Sequence, residues 1–584
     1  MKKQTTYHID NLYPLNLAFI LLLLSPMAFP SYFPHDVQRL FAVSSALLIV
    51  LSVTLQQQRF YLPKAFFISC LVVFASQLFI SALYKPAAPQ AWFLHLLLYL
   101  GAALLFVSGI NIPRNKLKSW LHIYLLLSSL WVLIGLYVWL DGTDGNDLKI
   151  GVITVAILPY LKLAGPFQQG NILATLVGFS WLISHWFALN SSKHIYRFSI
   201  LFFTIALLST LSRGAWIAYC ICLIMLLLTT NKFSYWLRKF LPYWLSGAFL
   251  GYICFELRTT PYVQHYDLSL VVINSATSPK TERLLIWATS FSEFLTSPWF
   301  GVGWGQFPDQ FWYAAPAALQ FMQDSLGLNN LQLYNTVFNA HNIFLHLAAE
   351  AGVFALILFF WGCWILAKHT GSLLLKPDSI RLPFALSVIG FLLHSQIGII
   401  YSEPLVLLIA ALFSGIALTP WLRHKSWNLK PTKAAKIILI ASVSVVVLWS
   451  SQSISQWFMS ESIYRQIKVE NKESIKRLDE VMHLPRVRAI PLTSLAYTVA
   501  LYKQHSEVLK PVIPFLETSL PEIPSLSAHQ VLFYAHMYAA NYERACQIGR
   551  KIMGMHFTGE KNTATYQLIC NGEKPVNYHF GLVD

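Results

Sequence analysis

Apolar runs of roughly 17 to 25 residues recur along the whole of this 584-residue chain, each long enough to cross ~30 Å of hydrocarbon as a helix. Hydrophobic residues make up 56% of the sequence and charged residues 12%, against ~25% charged in an ordinary soluble domain. A water-soluble fold has no way to hide that much apolar surface. The expected fold is therefore an all-α polytopic membrane protein. Spans are expected at about 13–31, 38–57, 65–83, 91–110, 119–140, 170–190, 198–212, 214–230, 240–257, 343–367, 382–400, 404–422 and 437–452. The first comes after Lys2 and Lys3, but it is long and lacks a small-residue cleavage site, so it reads as a retained span.

Thirteen spans put the two termini on opposite sides, and the basic residues say which side is which. Formal net charge is +16, from 42 Lys plus Arg against 26 Asp plus Glu, a balance that in a soluble protein would suggest nucleic acid. Here the basic residues alternate between successive connections instead. One set, including Arg114, Lys116, Lys118, Lys433 and Lys436, holds twenty, whereas the much longer opposite loops hold only eight. Short loops rich in Lys and Arg stay cytoplasmic, so the N-terminus is expected inside and no nucleic-acid partner is expected.

With that orientation the chain divides into N-terminal transmembrane helices (1–257), an outer loop (258–342), C-terminal transmembrane helices (343–452) and an outer tail (453–584). The tail is polar enough to fold in water. Leu532, Tyr534, Ala535, Tyr538, Ala539 and Ala545 fall near helical spacing and suggest paired amphipathic helices of the tetratricopeptide kind. Cys546 and Cys570 are the tail's cysteines, and an oxidising compartment would permit a disulfide there. The other five cysteines sit within spans as small apolar residues. No Cys/His cluster has metal-ligand spacing and no Gly-rich nucleotide loop is present, so no metal is expected.

Four stretches gather polar or catalytic residue types on the outer side. Gly165-Pro166-Phe167-Gln168-Gln169-Gly170-Asn171 precedes the sixth span. Its amides can hydrogen-bond a sugar without adding charge, or serve as a turn and N-cap. Leu211-Ser212-Arg213-Gly214-Ala215-Trp216 interrupts an otherwise apolar region. An Arg there is costly unless it faces a partner or water, so it is either functional or a turn residue snorkelling to the interface. Lys280-Thr281-Glu282-Arg283 opens an amphipathic stretch through Trp287, closed by Pro298-Trp299-Phe300-Gly301-Val302-Gly303-Trp304-Gly305-Gln306-Phe307. Two guanidinium forks suit a diphosphate, although Arg283 also fits an ordinary surface helix. Asn339-Ala340-His341-Asn342 leads into the tenth span, where a His can accept a hydroxyl proton or act as a cap. Glu350 lies roughly 13 Å further along a helix, too far to orient His341 directly.

In this order, over residues 165–352, the stretches resemble the O-antigen ligase and O-linked oligosaccharyltransferase superfamily of bacterial membrane proteins. The marks are Gly-Pro-Phe-x-x-x-Asn, Leu-Ser-Arg-Gly-Ala-Trp, Arg283-x-x-x-Trp287 leading to the aromatic glycine turn, and Ala-His-Asn-x-x-Leu with Glu350-Ala351-Gly352. The Gln-Gln-Gly-Asn variant and the long tail look most like the branch that glycosylates pilins and other exported proteins. That branch tends to carry His-Ser, then an acidic residue and Pro. Here His394-Ser395-Gln396 reaches Glu403-Pro404 only after Gly398 to Ser402, a departure in spacing.

The resemblance implies transfer of an oligosaccharide from an undecaprenyl diphosphate-linked carrier to an acceptor hydroxyl, with no metal or other cofactor. It places His341 at the acceptor proton and Arg213 and Arg283 at the diphosphate. Gln168, Gln169, Asn171, Asn342 and Tyr401 are then expected to contact substrate, with Trp287, Trp299 and Trp304 shaping a lipid-proximal wall. The implied partners are the lipid-linked glycan, an exported or pilin-like acceptor protein and the bilayer. The implied location is the bacterial inner membrane, with active site and tail periplasmic. An O-antigen ligase or polymerase would keep the same cationic site. A transporter or flippase would instead predict inverted repeats, and none is visible. Cysteines introduced at positions 280 and 341 should label in intact cells, and those at 376 and 430 only after the inner membrane is broken. A cysteine at 280 that needs membrane rupture would sink the orientation and every outer-face assignment.

Overall fold

Each expected apolar span folds as a helix. The computed structural model describes residues 13–28, 35–57, 59–141, 148–150, 153–155, 163–167, 169–230, 233–263, 279–327, 337, 339–467, 513–514, 516–517, 526–554 and 566–572. The first five helices are α1 (Tyr13–Ala28), α2 (His35–Gln56), α3 (Lys64–Leu83), α4 (Pro89–Asn111) and α5 (Arg114–Asp141). Then come α6 (Gly170–Asn190), α7 (Ile195–Ser209), α8 (Arg213–Leu228) and α9 (Phe233–Val263). Two amphipathic helices, α10 (Pro279–Thr296) and α11 (Phe307–Leu326), occupy the expected outer loop. The remaining apolar helices are α12 (Ile343–Leu374), α13 (Leu382–His394), α14 (Pro404–Arg423) and α15 (Lys433–Ile467).

Eight of these are long and apolar enough to cross a membrane, namely α2, α3, α4, α5, α6, α12, α14 and α15. Helices α1, α7, α8 and α13 are shorter apolar helices. The chain is thus an all-α integral membrane protein. Burial orders the bundle: 94% of the apolar window of α6 is enclosed by protein, against 11% for α3 and 17% for α15. Helix α6 is therefore central, and the open faces of α3 and α15 are left for lipid. Close packing relies on small residues, as at α4 and α14, where a side chain at Gly109 would meet Leu412 O and one at Gly415 would meet Phe106 O. On the lysine-rich side, β1 (Phe60–Pro63) pairs antiparallel with β2 (Ser426–Leu429), and Phe60 lies opposite Leu429. Beside it Arg423 Nε and Nη2 donate to Ile110 O at 3.2 and 2.9 Å, satisfying a carbonyl at the end of α4.

Helix α12 is broken at Gly352, which takes φ 74 and ψ −174, a conformation open essentially only to glycine. The break frees backbone groups that hydrocarbon cannot hydrate, and each would cost several kcal/mol if left alone. The aromatic glycine turn takes three of them. Val302 N–H donates to Ala349 O at 2.8 Å, Gly303 N–H to Glu350 O at 3.0 Å, and Val353 N–H to Pro298 O at 2.9 Å. Backbone meets backbone so closely that a side chain at Gly301 would strike Glu350 and Ala351, and one at Gly352 would strike Trp299 and Phe300.

In the tail, α16 (Leu526–Tyr538) and α17 (Tyr542–Gly554) pack together, with Phe533 edge-on to Tyr566 at 4.7 Å. Cys546 and Cys570 are joined by a disulfide. The expected helical pair is present; residues 468–512 of the tail lie outside the described residues.

Substituting Gly301 or Gly352 by Ala should destabilise the protein by roughly 2 kcal/mol or more each. Gly362→Ala, in open space on the same helix, should be neutral or slightly stabilising. Thermal midpoints of the detergent-solubilised variants check this, and equal midpoints for Gly352→Ala and Gly362→Ala would show that the interlock is not needed.

Candidate functional site

Two turns with unfavourable backbone carry the site. Between α7 and α8 Leu211 takes φ 53, a left-handed conformation uncommon for a bulky residue. The chain thereby reverses within a few residues: Leu211 N–H donates to Leu208 O at 3.0 Å and Ser212 N–H to Thr210 Oγ1 at 3.3 Å. Arg213 emerges exposed at the first position of α8. A cation there opposes the helix dipole, whereas an anion at a helix N-terminus is favoured. A guanidinium in that place is suited to receiving an anion.

The second turn precedes α12, and there His341 takes φ 53. Asn342 fixes the start of α12: its Oδ1 accepts from Phe344 N and Leu345 N at 2.9 and 3.1 Å, and its Nδ2 donates to Gln396 O at 3.0 Å. Asn342, expected to touch substrate, is thus spent on capping α12 and bridging to the turn after α13. Ile343 N–H donates to Ser395 O at 3.0 Å, so that turn clamps the His341 segment twice. His341 is half-buried. Burial and, after it, the Arg283 charge hold its pKa down at about 4. The imidazole is therefore a neutral acceptor at pH 7, and Arg283 lies within electrostatic reach of it.

Arg283 is exposed on the first turns of α10, and Trp287 sits one turn later, half-buried, with no hydrogen-bond partner for its indole N–H among the described residues. Tyr401, in the single turn Ile400–Ser402, approaches the amides of Ala340 and Asn342 without closing a hydrogen bond. Burial, and after it the nearness of the acidic groups of Glu350 and Tyr99, pushes its phenol well above the ordinary value, so it is a neutral O–H beside His341. Gln169 precedes α6, exposed and with its side chain uncommitted to capping, and Asn171 is half-buried beside it. This turn is tied to the first, since Leu163 N–H donates to Ser209 O at 3.0 Å. Gln168 lies outside the described residues.

Trp304 has a different place from the one expected. It is 4% exposed, edge-on to Phe74 at 5.0 Å and 4.8 Å from Tyr99, with its backbone N–H donated to Gln77 Oε1. It anchors the glycine turn to α3 and α4 rather than lining an open wall. Trp299 remains 62% exposed. Sequence reading set Glu350 aside as too far from His341 and missed its partners: Gly305 N–H donates to Glu350 Oε1 at 3.0 Å, and His346 Nε2 lies 3.6 Å from the other Glu350 oxygen. Glu293 of α10 is 1% exposed, and burial beside Glu350 and Asp309 pushes its carboxyl well above the usual range. Its only signal in the sequence is an acid on the apolar face of an amphipathic helix.

The structure therefore brings together a neutral imidazole, a guanidinium and a phenol O–H, with a second guanidinium on the neighbouring turn. Such a set can take a proton from a hydroxyl while cations offset charge on a leaving anion. The fold is that of an integral membrane protein in which a histidine, a tyrosine and two arginines gather on neighbouring turns. Residues 198–360 match the family model described as O-antigen ligase, which supports the superfamily resemblance and glycosyl transfer as the general class. That stretch contains Arg213, Arg283, Trp287, Trp304, His341 and Asn342. No curated protein matches the chain.

Arg283→Ala removes the second of the two causes that depress His341, so its midpoint should rise from about 4 part of the way toward 6.5. Histidine-selective NMR titration of the solubilised protein reads this directly. A midpoint unmoved by Arg283→Ala would separate the two residues.

Proposed function

We propose that this chain is an O-linked oligosaccharyltransferase of the bacterial inner membrane, acting at the periplasmic face. It moves a glycan en bloc from undecaprenyl diphosphate to Ser or Thr of exported proteins such as a type IV pilin. The observation that carries the reading is the pairing of a neutral His341, in strained backbone, with the Arg283 charge. His341 accepts the acceptor hydroxyl's proton as its oxygen attacks the anomeric carbon. The bond from that carbon to the diphosphate breaks, and Arg283 and Arg213 offset the charge left on the departing diphosphate. Tyr401, Gln169 and Asn171 supply uncharged polar contacts to sugar or acceptor, with Trp287 beside them.

A donor's negative charge beside Arg283 relieves part of the field that weakens His341. The base therefore strengthens when the donor is bound. Support for a protein acceptor comes from the Gln-Gln-Gly-Asn turn and the long tail, the two features that resemble the protein-glycosylating branch. A second reading, ligation to lipid A core sugar, is favoured by the description of the matching family, and polymerisation onto another lipid-linked glycan uses the same chemistry.

The test uses purified protein with lipid-linked glycan and, in separate reactions, a pilin, lipid A core and a lipid-linked acceptor, read by intact mass. Mass gain on the pilin alone is expected. Gain only on lipid A core or on the lipid-linked acceptor moves the assignment to ligase or polymerase. His341→Ala should lose roughly 10²–10⁴-fold in rate while still binding donor. The acid limb of kcat/KM should lie near 4, and that of kcat higher, since the first reports free enzyme and the second the donor complex.

A further inference from the structure

One buried histidine outside the groups assigned above joins the end of α13 to two of the helices whose ends carry them. His394 closes α13, with Nδ1 2.9 Å from Thr175 Oγ1 of α6 and Nε2 3.2 Å from Ser212 Oγ, the residue before Arg213. Thr175, Ser212 and His394 are 0%, 3% and 2% exposed, so water competes for none of these bonds. The direction of each can be worked out. Thr175 Oγ1 donates its hydrogen to Asn171 O at 3.0 Å and so toward His394 it can only accept. Nδ1 must then carry the ring proton, and Nε2, left as the acceptor, takes the Ser212 hydroxyl hydrogen. Hydrogens run one way, from Ser212 through His394 and Thr175 to the carbonyl of Asn171.

We propose that His394 is a positioning residue, whose relay to Ser212 and Thr175 holds the α7–α8 turn so that Arg213 faces the leaving diphosphate. The inference rests on the transfer reaction proposed above. Four further observations support it. Serine at an N-cap ordinarily accepts from its own helix, but Ser212 makes no such bond and turns to His394 instead. Leu211 holds a left-handed conformation, which persists only where surrounding contacts over-determine it. The His394 ring lies 3.1 Å from where a side chain at Gly214 would begin, so it packs directly on the start of α8. The two residues after His394 clamp the His341 segment through Ser395 O and Gln396 O. The end of α13 is thus the junction between the cation turn and the histidine turn. Ser212 is too enclosed to serve as a nucleophile.

The experiment uses full-length protein carrying Ser212→Ala or Thr175→Val, each alone and with Arg213→Ala. Each change removes one bond of the relay with little change of volume. Each alone should lower kcat about tenfold, as for a lost hydrogen bond of roughly 1.4 kcal/mol, with donor KM little changed. In the Arg213→Ala background neither should lower it further, because both act through Arg213. Losses that multiply with Arg213→Ala would overturn the proposal, as would full activity of both single variants. Backbone hydrogen exchange across residues 209–214 is measured in parallel and needs no activity. Faster exchange in both single variants supports the relay, and unchanged exchange overturns it. If wild-type protein transfers nothing to any acceptor, the transfer reading falls, and exchange still decides whether His394 holds the turn.

Discussion

In hydrocarbon a helix that breaks must find new partners for the groups it frees, and α12 breaks at Gly352. Three backbone hydrogen bonds from the segment 298–303 meet that demand. The rest of the candidate site is built on this interlock. Because the two backbones touch, Glu350 is held where its carboxylate receives Gly305 N–H. The next residue, Gln306, is then placed to close a pair of bonds with the backbone of Ala88 at 2.9 and 3.0 Å. Gln77 completes the anchor through Phe300 O and Trp304 N–H. The start of α12, next to His341, is fixed in direction by what happens further down the same helix.

Electrostatics then sets the character of the site. His341 is weakened as a base by burial and by Arg283, while Tyr401 is kept neutral by its enclosure. In the proposed reaction an anion arriving beside Arg283 would strengthen this weak neutral acceptor. Both turns that carry the key side chains store strain at a non-glycine residue, Leu211 and His341. Such strain persists where packing over-determines the backbone, and here the end of α13 contacts both turns through His394, Ser395 and Gln396.

The helices were legible because their signal is local. An apolar run of sufficient length is read from neighbouring residues alone, and every expected span is a helix in the structure. Arg213 stood out for the same reason, as a charge inside apolar sequence. The roles of Asn342 and Trp304 were not legible. Both residue types can bind sugar, and only their neighbours show that one is committed to a helix cap and the other to an aromatic anchor. The bridge between Cys546 and Cys570 was likewise open until the two were seen side by side.

By itself, then, the sequence determined that the chain spans a membrane, where its helices run and which residues would be costly unless used. Tertiary structure decided how those residues are used. His394 and Thr175 are 219 positions apart in the chain, and nothing in either neighbourhood announces the other. Hydrophobic length is a property of consecutive residues, whereas a hydrogen bond or a shifted proton affinity belongs to a pair of groups. That pair exists only once the helices have packed.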